Sequence, residues 1–134
     1  MADTVLNTTV FDGSKKLITH YNVVSDSSGS TTKIVDVSAL NSSPANKTCK
    51  TVRLNKISFN VSVTAPVDAI RMVWDGSDVV FQTLNGEMEY DYSSFGGLKN
   101  NKASSYNGDV NLTLPACTSG DSGTVVCEWI KVYE

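Results

Sequence analysis

Histidine, proline and cysteine are scarce in this chain: one, three and three residues among 134. Each scarcity narrows what the protein does. With His20 alone, a nucleophile–base pair would need Cys127 as its partner, and nothing in the sequence brings those two together. No Gly-x-Ser-x-Gly turn exists to present a serine. An odd set of cysteines, Cys49, Cys117 and Cys127, with no Cys-x-x-Cys pair, is not a disulfide framework. A Cys117–Cys127 bridge is conceivable across a hairpin. A tight turn over Thr118 to Gly123, however, would pair Cys117 with Thr124 and leave Cys127 about three residues out of register. Free thiols and cytoplasmic synthesis are therefore expected.

Charge is also missing in the places where partners would need it. Net charge is -3, and Lys15-Lys16 and Lys99 to Lys102 are the only cationic clusters, too small for a nucleic-acid footprint. No apolar run approaches the length of a membrane span. The opening Met-Ala-Asp-Thr-Val-Leu lacks the segments of a signal peptide. Neither a nucleic acid nor a membrane is an expected partner.

What is abundant is serine, threonine and asparagine, between short runs of β-branched residues. That is the composition of an all-β protein with polar loops. Apolar residues recur with period two rather than at helical spacing. Alternation predicts strands over Thr4 to Phe11, Leu17 to Val24, Lys33 to Ser38 and Val52 to Thr64. Further strands are predicted over Ile70 to Trp74, Val79 to Leu84, Val110 to Ala116 and Thr124 to Tyr133. Ser25 to Thr32 reads as a polar loop, and Ala39 to Lys50 as an irregular connection. Val52 and Leu54 share one parity while Ile57, Phe59, Val61 and Val63 share the other, which requires a bulge near Asn55-Lys56. Asp75 to Asp78 and Asn85-Gly86 read as hairpin turns. Nine or ten strands at intervals of about ten residues predict an antiparallel β-sandwich, jelly-roll-like, forming one domain over 1–134.

The most distinctive stretch lies between Gly86 and Asn101. Met88, Tyr90 and Tyr92 alternate with Glu87, Glu89 and Asp91, as in a strand with one buried face. It runs into Phe95-Gly96-Gly97-Leu98, read as a structural turn whose glycines permit backbone angles closed to other residues.

Three kinds of chemistry compete with plain packing. Glu87, Glu89 and Asp91 would stand about 7 Å apart along one strand face, within the range of glycosidase carboxylates, but such a row also reads as a solvated face. Together with Asp75 and Asp78 they could hold calcium, although no loop has a calcium-binding pattern. Trp74, Tyr90, Tyr92 and Tyr106 could stack on sugars, with Phe95 and Trp129 further aromatics. A core of this size needs such residues in any case, and Trp74 and Trp129 end apolar runs. No catalytic, cofactor-binding or metal-binding residue is assigned. The Gly96-Gly97 pair has no following lysine and helix, so it is no phosphate loop.

Several stretches carry a resemblance. They are Phe11-Asp12-Gly13-Ser14-Lys15-Lys16, Ser25-Asp26 with Gly29, and Lys33-Ile34-Val35-Asp36-Val37-Ser38-Ala39-Leu40. Phe95-Gly96-Gly97-Leu98, Gly108-Asp109-Val110-Asn111-Leu112 and a C-terminal strand complete it. Through these the chain resembles small all-β proteins encoded among the virion genes of tailed bacteriophages, notably phages of marine bacteria and cyanobacteria. The resemblance implies a non-enzymatic, cofactor-free virion protein, made in the host cytoplasm. It would be a capsid decoration or cement protein docked on the major capsid protein or other virion proteins, as a homo-oligomer or in many copies. A neck or tail accessory protein is the alternative within that class, and a sugar-binding module for host adhesion the alternative outside it. Within residues 1–10 and just beyond, Val5, Leu6, Val10 and Phe11 form either a docking arm or an ordinary edge strand.

Overall fold

The computed structural model describes residues 4–41, 45–65, 69–75, 79–99, 108–116 and 118–133. These form nine strands: β1 (Thr4–Asp12), β2 (Lys16–Val24), β3 (Ser30–Val35), β4 (Thr51–Ser62), β5 (Ile70–Trp74), β6 (Val79–Leu84), β7 (Gly86–Asp91), β8 (Val110–Leu114) and β9 (Ser122–Val132). Short 3₁₀ turns cover Val37–Ala39 and Ser93–Phe95, and there is no α-helix among the described residues.

The strands make two antiparallel sheets that pack face to face. One has the order β1-β2-β9-β4-β7 and the other β3-β8-β5-β6. Only β1 to β2 and β5 to β6 are hairpins; every other connection crosses from one sheet to the other. Strict alternation drives the packing. Leu17, Tyr21 and Val23 of β2, Ile57, Phe59 and Val61 of β4, and Val125, Cys127 and Trp129 of β9 face inward. They meet Ile70, Met72 and Trp74 of β5 and Val110, Leu112 and Leu114 of β8 in one core. The indole N–H of Trp129 donates to Thr19 Oγ1 at 3.1 Å, so this buried ring keeps its polar atom satisfied.

The phase change expected in β4 is present: its register with β9 shifts between Leu54 and Lys56. Four expectations are revised. β3 begins at Ser30, because its polar residues pair with Leu114 to Lys33's partner Asn111 of β8 rather than forming a loop tip. Val37–Ala39 is a 3₁₀ turn rather than strand, capped by Asp36, whose carboxylate accepts the Ser38 N–H at 3.1 Å. Asn85-Gly86 is no hairpin turn, since β6 and β7 lie in different sheets. β8 and β9 also lie in different sheets, so a hairpin register for the cysteines does not arise. Cys49 and Cys127 are buried free thiols, and Cys117 lies outside the described residues.

Thr4–Asp12 is an edge strand, paired with β2 along its length with one bulge between Thr9 and Phe11. Side chains also fasten it. Asn7 Nδ2 donates to Lys33 O of the opposite sheet at 3.1 Å, and the Asp12 carboxylate accepts the Asn41 N–H at 3.0 Å. Asp12 also makes an ion pair with the fully buried Lys131 ammonium.

Candidate functional site

The outer edge of β7 brings together the exposed Met88, Tyr90 and Phe95 with Glu87, Glu89 and Asp91. This strand is the last in the five-stranded sheet. It follows β4 without a register shift, from Lys56↔Asp91 to Val61↔Gly86. Alternation sorts its side chains as expected: Glu87, Glu89 and Asp91 point outward with Ser58 and Asn60, while Met88 and Tyr90 share the inner face with Phe59 and Ile57. The expected burial of that inner face is not found. Met88 is 49% exposed and Tyr90 37%, because an edge strand has a packed neighbour on one side only. A single sequence distinguishes an edge strand from a central one poorly, since both alternate with period two.

From Tyr90 the rings continue outward in a chain. Phe59 and Tyr90 have centroids 6.1 Å apart, Tyr90 and Tyr92 6.0 Å apart with planes 8° from parallel, and Tyr92 and Phe95 5.9 Å apart. Only Phe59 is buried, and Phe95 is 60% exposed. The Tyr92 hydroxyl donates to Gln82 Oε1 at 2.7 Å, which ties β7's end to β6 across the gap between sheets. Burial, with Tyr90 adding to it, pushes the Tyr92 phenol above its ordinary pKa.

The structural turn holds this edge in place. Ser93–Phe95 forms one 3₁₀ turn, Gly96 closes it in the left-handed region, and the Gly97 N–H returns to Tyr92 O at 3.0 Å. Gly97 itself has φ +93°, and a Cβ there would stand 3.0 Å from Leu54 O. Leu98 then pairs with Leu54 on β4. The Phe95 to Leu98 segment is thus a clamp between β7's end and the β4 bulge.

Other candidates are dispersed. Trp74 is 2% exposed and stacked on Phe81 at 3.9 Å. It is a core residue, so its assignment as a sugar platform is withdrawn; Tyr106 lies outside the described residues. His20 faces outward opposite Val126, whereas Cys127 faces inward opposite Thr19, so the two cannot act together. Asp75 sits on the other sheet, 3.5 Å from the Lys33 ammonium and accepting from Asn111 Nδ2; Asp78 lies outside the described residues. Among the described residues no group of three acidic, histidine or cysteine side chains could hold a metal. Leu6, Val10 and Phe11 are exposed on β1 at the sheet's far edge, with Val5 turned in against the core.

On the outer face, two adjoining shallow depressions of about 230 and 270 Å³ share Ser58 and Val126 in their linings. Glu89 lines one and Glu87 the other. Asp91 is engaged locally: the Ser93 hydroxyl, and then the Ser93 N–H at 2.9 Å, donate to its carboxylate and hold it below the usual carboxylate range. No family model, curated protein or solved structure matches the chain.

Proposed function

We propose that the protein is a non-enzymatic binding component of a tailed-phage particle, most simply a decoration protein attached in many copies to the outer shell. The observation that carries this reading is the β7 edge. There a packed sandwich presents Met88, Tyr90 and Phe95 to solvent, and a clustered apolar surface on a rigid scaffold is characteristic of an interaction site. The resemblance described above supplies the particle as the context. We further read the strand order as a jelly roll, with β2-β9-β4-β7 facing β3-β8-β5-β6 and β1 added at one edge. Weak contacts repeated over a lattice would give such a protein strong attachment without a large single interface. A neck or tail position would use the same surface.

Tailed-phage particles purified from cells carrying the genome that encodes this chain provide the test. The chain is expected in gradient-purified particles at a fixed ratio to the major capsid protein. Particles that lack it overturn the reading.

A second reading is a sugar-binding module. It is favoured by the nearly parallel Tyr90 and Tyr92 rings on an exposed edge. Glycan-array binding that is lost in Tyr90→Ala would support it.

A further inference from the structure

We propose that the free edge of β7 captures an extended segment of another protein in which basic and apolar residues alternate. This inference concerns how the edge recognises a partner and stands whether or not that partner belongs to a phage particle.

Backbone geometry comes first. The Tyr92 N–H donates to Asn55 O across the ladder at 2.7 Å. Alternation in an antiparallel pair then directs the N–H and C=O of Tyr90 and Met88 toward β4 as well. Those of Glu89 and Glu87 point away, and among the described residues no strand lies beyond β7 in its sheet. An uncovered row of donors and acceptors is a template for strand addition. β7 lacks the bulge and the proline that commonly block such an edge.

Side-chain chemistry then selects the occupant. A strand added beside β7 places its own side chains about 5 Å from those of β7 on the same face. On the outer face it meets Glu87 and Glu89, which have no cation within ion-pair distance among the described residues. Lysine or arginine at alternate positions of the added strand complements that pair. On the inner face it meets Met88 and Tyr90, with Phe95 beyond them, and apolar side chains there would cover surface now in water. A second copy of β7 is disfavoured, because a two-fold edge pairing keeps outer face beside outer face and sets carboxylate against carboxylate. A sugar would use the ring faces of Tyr90 and Tyr92 but leave the backbone row idle.

The test is fluorescence anisotropy with the intact protein and a labelled short peptide of alternating lysine and valine. Saturable binding that weakens with salt is expected. A peptide of the same composition with its lysines in one block should bind about ten-fold more weakly or worse, a difference of about 1.4 kcal/mol. Glu87→Lys combined with Glu89→Lys should abolish binding while leaving the melting temperature nearly unchanged. Methylating the peptide's backbone nitrogens along one edge only should abolish binding for one edge and spare it for the other. That last measurement involves no change to the protein and so cannot fail through misfolding. Absence of binding, equal binding of the block peptide, or equal tolerance of methylation on both edges overturns the proposal. So does binding of a soluble glycan that competes with the peptide and is lost in Tyr90→Ala but retained in the double lysine variant.

Discussion

Leu54 and Leu98 exchange both backbone hydrogen bonds, Leu54 N–H to Leu98 O at 3.1 Å and Leu98 N–H to Leu54 O at 2.9 Å. The exchange falls at the residue where β4 shifts register against β9, so the turn after β7 supplies the partner for β4 just before its bulge. The β7 edge is therefore anchored at two points, through its ladder with β4 and through this clamp.

Gly97 is the residue on which the clamp depends. Its positive φ and the 3.0 Å approach to Leu54 O leave no room for a side chain. Gly97→Ala is expected to cost about 1–3 kcal/mol, seen as a fall of several degrees in melting temperature. Gly96 has a similar φ, but a Cβ there would meet only the Arg53 side chain, at 3.7 Å. Gly96→Asn should therefore change stability by less than about 1 kcal/mol, since asparagine tolerates the left-handed region. Equal losses for the two variants would show that the clamp is not what holds the turn.

The Asp12–Lys131 pair should respond unequally to the loss of either partner. The Lys131 side chain is fully buried and Asp12 only partly exposed. Asp12→Ala leaves a buried ammonium whose remaining partner among the described residues is the Asn41 carbonyl, 3.3 Å away, and is expected to cost about 3–5 kcal/mol. Lys131→Met keeps the apolar stem and leaves a carboxylate that still accepts the Asn41 N–H, so the loss should be smaller. Chemical denaturation of both variants gives the comparison.

Stability should decline at both ends of the pH scale. Burial pushes the Cys127 thiol far above its ordinary range, and burial also raises Cys49. A raised folded pKa contributes stability that is complete below the unfolded value, about 8.5, and is lost as the unfolded thiol ionises above it. Glu128 is held low by Lys16, whose ammonium lies 2.7 Å away. Its contribution is complete above the unfolded value, about 4.3, and is lost on acidification. Urea midpoints measured across this range should form a plateau with two limbs. Cys127→Ala should flatten the alkaline limb and Lys16→Met the acid one. In native protein carrying Cys117→Ser, a thiol reagent should react only as fast as the chain unfolds.

Much of this architecture was legible in the sequence because strand side chains must alternate. The inward sets on β2, β5 and β8, and the bulge in β4, follow from parity alone. Sheet membership did not follow. Asn85-Gly86 has the composition of a hairpin turn, yet here it carries the chain from one sheet to the other, and local residues do not encode which strand will be the neighbour. The candidate site was half legible for the same reason. Tyr90 and the Gly96-Gly97 turn stood out by composition, whereas the exposure of Met88 depends on β7 being an edge, a property of the whole sheet. Trp74 could be read as platform or core until its contact with Phe81 was known.

The N-terminal strand offers the last contrast, between a docking arm and a structural edge. Thr4, Val5 and Leu6 pair with Val24, Val23 and Asn22, and Val5 packs against the core, whereas Leu6 stands exposed on the outer face. Deleting residues 2–6 removes those pairs and uncovers the edge of β2, so a loss of about 2–3 kcal/mol is expected. Leu6→Ser alters only the exposed face and should shift stability by no more than about 0.5 kcal/mol. Differential scanning calorimetry of the two variants separates the roles. If the deletion melts with the parent protein, the segment contributes nothing to the fold and is available as an arm. A clear drop with the deletion, and none with Leu6→Ser, means that the backbone of β1 is structural. Any docking there would then fall to the exposed side chains of Leu6, Val10 and Phe11, on a strand that stays in place.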